Sequence, residues 1–406
     1  MEAYILDDKL RRIEIVEQYE SFVWTERYVS RGDFVLDVPP NISESRYLTK
    51  GTLLACDKSD RVMVIKSVEN SVSAEGVRLL KVTGPSLETV LDERPNRYTE
   101  LLAGTTNDGH PLILGGSGGV GGAGATPAAI ARQLFSDICI TNTAFGNADR
   151  IPNIQAGAYY STVGAIPEPT DTPVMQTEID TLYGTIKNIC DTYRLGFRLV
   201  RIEDAVPSNP AMLYFEVYTG FDRTSGQSAL PAVIFSSALD NLTDTSDFSS
   251  IAGLKNVAYV FAPNGSRVVY GEGVSTAISG FDKKVLIVNA SDITDAAGAG
   301  LNAKLDQRGM EELAKYRVIV GFDGQIPQDS SLIYGVHYKL GDLVEQRSDT
   351  GALNIMKVTE QIFTSDKEGE KSYPTLTVDK LVVPGSWDAM LASIHWDDTT
   401  GTWDSM

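Results

Sequence analysis

The stretch Arg61 to Pro95, RVMVIKSVENSVSAEGVRLLKVTGPSLETVLDERP, constrains the fold most, because a weaker echo of it sits near the other end of the chain. Val62, Val64, Val68 and Val72 alternate with polar residues over much of the first run, the pattern of a half-buried strand. Ala74-Glu75-Gly76 reverses the chain, with Gly76 free to adopt positive φ. Val77, Leu79 and Leu80 open a return strand that ends at Thr83-Gly84-Pro85. Ser86 is placed to cap a short helix burying Leu87, Val90 and Leu91, and Pro95 stops it. In the echo, Lys50-Gly51-Thr52-Leu53-Leu54 is matched by Leu340-Gly341-Asp342-Leu343-Val344. Ile65-Lys66-Ser67-Val68-Glu69 is matched by Met356-Lys357-Val358-Thr359-Glu360, and Glu75-Gly76 by Glu368-Gly369. Hairpins resemble one another, so pattern alone leaves chance open. A true duplication predicts an α+β, β-rich chain with two similar antiparallel β-barrel-like modules flanking an α+β middle region.

The expected boundaries follow the composition along the 406 residues. Residues 1–95 form the first module, with strands at Tyr4–Leu6, Ile13–Val16, Ser21–Tyr28 and Gly32–Val38. Residues 96–126 read as a flexible connector, because Gly115 to Gly124 is mostly glycine. Residues 127–330 are the α+β middle. Its best helix is predicted over Thr177–Tyr193, with Ile179, Leu182, Ile186, Ile189, Cys190 and Tyr193 on one apolar face. Strands follow at Gly196–Ile202 and Leu213–Thr219, and a helix over Leu301–Arg317 is expected to bury Leu305, Met310 and Leu313 despite Gly309. Residues 331–384 are the second module. Residues 385–406 are a tail in which Trp387-Asp388, Trp396-Asp397 and Trp403-Asp404 recur.

Several function classes are disfavoured. The chain has 54 acidic and 35 basic side chains, a net charge of −19. Duplex nucleic acid carries about one negative charge per 1.7 Å and needs clustered Lys and Arg to bind it. The only cluster is Lys9-Leu10-Arg11-Arg12. Cys56, Cys139 and Cys190 form no CxxC pair, so neither a disulfide framework nor a zinc site is expected. The opening MEAYILDDKLRR has no apolar run, so no secretory leader is expected, and no stretch is long and apolar enough to span a bilayer. Two glycosylation triplets, at Asn241 and Asn289, carry little weight without a secretion route.

Glycine-rich motifs raise two chemistries. Gly116-x-Gly118-x-x-Gly121 follows the apolar Leu112-Ile113-Leu114, and Thr126-Pro127 opens a helix, as a dinucleotide fingerprint would. The ribose-binding acid at the end of a second strand is missing, because residues 130–138 are helical in period. Gly115-x-Ser117-x-Gly119 matches a nucleophile elbow with His395 as a conceivable base, but several glycines separate Ser117 from the helix start. His110, His337 and His395 are the only histidines and show no metal-ligand spacing. Acid pairs such as Asp57/Asp60, Asp92/Glu93 and Asp397/Asp398 are frequent in so acidic a chain. The loop Gly220 to Thr224 is charged, and Asp222 and Arg223 are expected to fix it by local hydrogen bonds. No catalytic, cofactor or metal residue is therefore assigned. Trp387, Trp396 and Trp403 are the candidate docking residues, since tryptophan anchors partners at interfaces; sugar stacking is the other reading.

Seven stretches in order carry a family resemblance. They are Ser21 to Phe34 with Trp24 and Tyr28, Asp60-Arg61-Val62-Met63, Val82 to Arg94, Phe215 to Thr224, Phe235 to Leu242, Lys255 to Tyr259, and Tyr338 to Val344. Together they resemble the Gp37-like minor tail proteins of siphoviruses infecting actinobacteria, which are similar to tail or baseplate hub proteins. The resemblance runs from Tyr4 to about Pro374. It implies a non-enzymatic virion protein at the tail tip, a homotrimer with two barrel modules per chain. Implied neighbours are the distal tail protein ring, the tape measure protein and downstream tip or fibre proteins. DNA passes through such a hub without specific binding, and no membrane insertion is implied. A tail-borne cell-wall hydrolase and a host-glycan binding module are the alternatives.

Overall fold

A computed structural model describes residues 1–72, 78–96, 112–141, 150–206, 208–316, 319–327, 330–347 and 353–378. The N-terminal part has eight strands: β1 (Ala3–Leu6), β2 (Arg12–Val16), β3 (Ser21–Arg27), β4 (Asp33–Val38), β5 (Leu53–Cys56), β6 (Met63–Val64), β7 (Ser67–Val72) and β8 (Arg78–Pro85). The four strands expected before residue 40 are present within a residue or two. The long strand expected from Arg61 is broken between β6 and β7. There the chain crosses from the sheet β2-β1-β5-β6 to the sheet containing β3, β4, β8 and β7. Val62, Met63, Val64 and Ile65 are consequently all buried, because the crossing is covered on both sides. Phe22, Trp24, Phe34, Leu36, Ile5 and Leu54 fill the core between the two sheets. Burying side chains of this size contributes about 1.5–3 kcal/mol each. The expected helix after Ser86 is a 3₁₀ turn, Leu87–Glu93, and Ser86 does not cap it. Ser86 Oγ instead accepts the Gly32 amide at 2.9 Å, so the serine fastens the turn to the end of the β3–β4 connection. The reversal expected at Ala74 to Gly76 lies outside the described residues.

The middle of the chain has its own core. It contains β9 (Leu112–Leu114), helix α1 (Pro127–Phe135), β10 (Ile154–Ala156), β11 (Met175–Thr177), helix α2 (Leu182–Tyr193), β12 (Gly196–Ile202) and β13 (Met212–Tyr218). Phe135 of α1 stacks on Phe215 of β13 with ring centroids 3.9 Å apart. Helix α2 starts later than expected. Thr181 is its N-cap, accepting the Gly184 amide at 3.0 Å, while Met175–Thr177 pairs with β9. Ile179 therefore lies outside the helix and is 57% exposed. Ile186, Ile189 and Cys190 are buried as the helical period required.

The glycine stretch is not a loose connector where it is described. Gly115, Gly116, Gly118, Gly121, Gly122 and Gly124 all have positive φ, so the glycines serve successive tight turns that other residues would strain. The Gly115 amide donates to Val120 O at 2.8 Å and the Val120 amide to Ile113 O at 2.9 Å. Thr126 caps α1, with Pro127 in the first turn, as the sequence indicated.

The rest comprises β14 (Ile234–Phe235), β15 (Thr243–Ser250), β16 (Val257–Ala262), β17 (Gly265–Tyr270), β18 (Val285–Asn289), helix α3 (Ala299–Ala314), β19 (Ile319–Gln325), β20 (Leu343–Arg347), β21 (Leu353–Asp366) and β22 (Gly369–Thr377). Strands β17-β16-β18 form a small sheet covered by α3. Leu305 and Leu313 are buried, but Met310 is 45% exposed. Gly309 takes the packing position instead: a Cβ there would lie 2.5 Å from Val269 Cγ2. This unit is inserted between β15 and β19.

The two ends do not close into separate barrels. Their strands share one continuous path, β15-β19-β22-β21-β3-β4-β8-β7, with β20 and β14 attached beside β21. The architecture is α+β and β-rich, and the barrel-like modules expected at each end are open blocks of one sheet. Neither block closes on itself among the described residues: β21 gives its outer edge to β20 and β3, and β7 pairs only with β8.

Candidate assembly interface

The junction of the three parts is a buried set of charges. Arg61 is 1% exposed and lies 3.7 Å from both Glu26 of β3 and Glu88 of the 3₁₀ turn. Its Nη2 donates to Arg27 O at 3.0 Å. Glu88 Oε1 accepts the Leu199 amide of β12 at 2.8 Å. Glu26 accepts from Ser59 Oγ and from the Tyr334 hydroxyl, the latter at 2.9 Å. Burial alone would lower the Arg61 pKa, but Glu26 and Glu88 outweigh it and hold the guanidinium above its ordinary value. Beside it, Arg198 Nε donates to Glu216 Oε2 at 2.9 Å, and its Nη2 lies 2.8 Å from the same oxygen. Charges this deeply buried act as geometric locks more than as sources of net stability.

The second feature is repetition in space. The Gly51 amide donates to Ile65 O at 2.8 Å, and the Ile65 amide returns a bond to Thr52 O at 2.9 Å. The Gly341 amide donates to Val358 O at 2.8 Å, and the Val358 amide returns one to Asp342 O at 3.0 Å. Gly51 and Gly341 have φ of 90° and 91°. This places Ile65 in correspondence with Val358, two residues beyond the match read from sequence. The ladders continue the correspondence. Ser67 faces Thr83 as Glu360 faces Thr375, and Val35 faces Thr83 as Asp323 faces Thr375. Carried to the next strand, Val23 of β3 corresponds to Ser246 of β15. The sheet is thus two blocks of equal strand order, β3-β4-β8-β7 and β15-β19-β22-β21, joined where β21 pairs with β3.

One face of this sheet packs on the cores. The other carries Asp33, Asp37, Glu69, Glu360 and Asp366 against Lys81 and Lys371, while Arg27 bridges Asp33 and Glu360 at 2.5 Å each. At its two ends, β7 pairs only with β8 and β15 only with β19 among the described residues. Both present a row of backbone donors and acceptors to one side.

A family model described as Siphovirus ReqiPepy6 Gp37-like protein matches residues 2–97 and 133–376. The chain belongs to this family. The unmatched interval takes in the glycine-rich stretch and the start of α1. No curated protein matches the sequence. Among solved structures, the tail protein from Neisseria meningitidis MC58 is similar with a TM-score of 0.54 at 12% identity, covering 94% of this chain and 98% of that one. The prophage MuSo2 43 kDa tail protein from Shewanella oneidensis gives a TM-score of 0.52 at 12% identity, covering 93% and 97%. At such identity the likeness is one of fold.

The residues singled out from sequence fare unequally. Trp387, Trp396 and Trp403 lie outside the described residues, as do His110 and His395. His337 closes a turn, its Nδ1 accepting the Ile333 amide at 2.9 Å. Cys56, Cys139 and Cys190 are buried, and burial pushes the Cys56 and Cys190 thiols up. Ser117 sits exposed on a glycine turn, ten residues before α1 begins. Asp222 does fix its own loop, its Oδ1 accepting the Thr224 amide at 2.9 Å and hydroxyl at 2.7 Å. Of the acid pairs, Asp92 binds Arg31 and Glu93 lies 3.2 Å from Lys66. Among the described residues, no group of three or more His, Cys, Asp or Glu could hold a metal ion, and no helix is long and apolar enough to cross a membrane.

Sequence reading missed the two strands that complete the second block. β15 reads TDTSDFSS, with no apolar alternation, and β19 reads IVGFDGQ with two glycines. Only the ladder of the first block, laid over Met356 to Thr377, could have revealed them.

Proposed function

We propose that the protein is a structural component of a bacteriophage tail tip: a trimeric hub that joins the six-fold tail tube or distal tail ring to three-fold tip proteins. Membership of the Gp37-like family and the fold shared with two tail proteins support a place in the tail. The observation that carries the hub reading is the pair of blocks with one strand order in a single sheet. Three chains with two such blocks each present six similar units around an axis, and closed rings constrain their interfaces by symmetry. A six-fold ring then meets six matched surfaces on a three-fold body.

The axial opening would pass the tape measure protein and DNA. The face of the sheet turned away from the cores has more acids than bases, and the whole chain carries −19, so a lumen built from that face repels DNA instead of retaining it. Downstream tip or fibre proteins dock on the Trp-Asp tail, through Trp387, Trp396 and Trp403. The role is non-enzymatic: the charged residues at the junction hold strands together, with Arg61 and Glu88 sealed from solvent.

The test is mass measurement of the purified protein and of its complex with the tail-tube or distal-tail ring, with low-resolution imaging of both. A three-chain ring with an axial opening is expected. A globular monomer that makes no complex with either ring would overturn the reading. Turnover of peptidoglycan by the purified protein would replace it with a hydrolase.

A further inference from the structure

The two edges of the sheet that have no partner among the described residues correspond to the two strands that meet inside it. β21 is the last strand of the second block and β3 the first strand of the first block, and they pair from Glu360↔Arg27 to Asp366↔Ser21. β7 is the last strand of the first block, and β15 is the first strand of the second. Each therefore carries the pairing geometry of a seam already built once within the chain. Exposed edges of this kind invite pairing unless something covers them. The apolar residues at the edges point the same way: Val72, ending β7, is 64% exposed, and Ile251, following β15, is 48% exposed.

We infer that β7 of one chain pairs antiparallel with β15 of a second copy, in the register of the β21–β3 seam, with Ser67 opposite Ser250 and Ser71 opposite Ser246 of the second copy. The register follows from the correspondences on both sides. Glu360 and Ser67 are equivalent, so Thr364 and Ser71 are also. Val23 and Ser246 are equivalent, so Arg27 and Ser250 are also. Thr364 faces Val23 in the internal seam. The Tyr28 amide, just beyond β3, donates to Thr359 O at 2.9 Å. Its counterpart is an Ile251 amide donating to Lys66 O of the neighbouring chain. The contact is head-to-tail, and such contacts give rings when the rotation closes and filaments when it does not. Closure after three chains rests on the hub reading above; the edge pairing and its register do not.

Counting from the Tyr28–Thr359 bond, Val23–Thr364 is a pair that exchanges no backbone hydrogen bonds, the kind whose side chains lie closest. Ser71 and Ser246 inherit that position and suit a cross-strand disulfide. The experiment compares the full-length double variant Ser71→Cys/Ser246→Cys with Ser71→Cys/Ser250→Cys, both treated with a mild oxidant and run without reductant. The second pair is displaced by four residues, roughly 14 Å along a strand. The native cysteines are buried and stay out of the reaction. Most chains of the first variant should run as covalent multimers that reductant returns to monomer, with little linkage in the second. Trimers by mass with no linkage in either variant overturn the edge pairing and leave the hub reading standing. Equal linkage in both overturns the register. Linkage confined to the first variant in open filaments supports the seam and defeats the three-chain ring. A protein that remains monomeric and unlinked defeats both.

Discussion

The Tyr334 hydroxyl donates to Oε2 of Glu26 across 2.9 Å, tying the approach to β20 to the buried charge of β3, more than three hundred residues earlier. Removing one donor from a carboxylate that keeps Ser59 and Arg61 should be mild. Tyr334→Phe is expected to cost about 1 kcal/mol. Arg61→Met is a different matter, because it leaves Glu26 and Glu88 buried without their cation. A loss of about 3–5 kcal/mol is expected, read as a lower denaturant midpoint with unchanged slope. Equal effects from the two variants would show that the charge cluster is not the lock between the parts.

The paired glycines give a graded test. Gly51 and Gly341 share φ near 90°, so alanine at either position is strained by about 1–2 kcal/mol. At Gly51 a Cβ meets open space, but at Gly341 it would lie 2.5 Å from Tyr28 Cε2. Overpacking adds about 1–3 kcal/mol. Thermal melts should therefore rank wild type above Gly51→Ala and Gly51→Ala clearly above Gly341→Ala. The reverse order would mean that the tyrosine moves aside freely.

Glu311 of α3 makes stability depend on pH. Burial raises its pKa to about 7, although Gln307, Arg308 and Asn188 favour its charged form. An acid whose folded pKa lies above its unfolded value binds more protons when folded, so its contribution falls as pH rises from about 4.5 to about 7. Glu311→Gln keeps an acceptor for Gln307 and removes the ionisation. The variant should match wild type near pH 4.5 and exceed it above pH 7 by a few kcal/mol, on the scale of about 1.36 kcal/mol per unit of pKa. Denaturant titrations at the two pH values decide it, and a constant difference would assign the effect to packing.

Deleting residues 385–406 separates the readings of the tryptophan tail. On the docking reading, the truncated protein keeps the melting temperature of the full chain but fails to incorporate the next tip component into particles. Intact particles that no longer adsorb to host cells would assign the tail to glycan binding instead.

What was legible in the sequence followed burial. Strands β3 and β4 alternate apolar and polar residues because one face packs on a core, and α2 shows its helical stripe for the same reason. The echo was visible at Gly51 and Gly341, where a backbone need forces the residue type, yet the partner of Ile65 was misplaced by two residues. The chain takes three more residues from Gly341 to Val358 than from Gly51 to Ile65, an insertion that spacing alone cannot locate. β15 was invisible because TDTSDFSS carries no apolar alternation for a pattern to show. The glycine stretch misled for the opposite reason: composition that usually marks freedom here supplies the left-handed residues of fixed turns. The junction charges left no local signal, since Glu26, Arg61 and Glu88 come together only through the tertiary fold.

The unit β16–β18 with α3 interrupts the second block between its first two strands, whereas the same connection in the first block, from β3 to β4, takes only residues 28–32. A collar made from these chains would bear this outgrowth on alternate segments only. A threefold attachment could then recognise this outgrowth without disturbing the strands of the block that carries it.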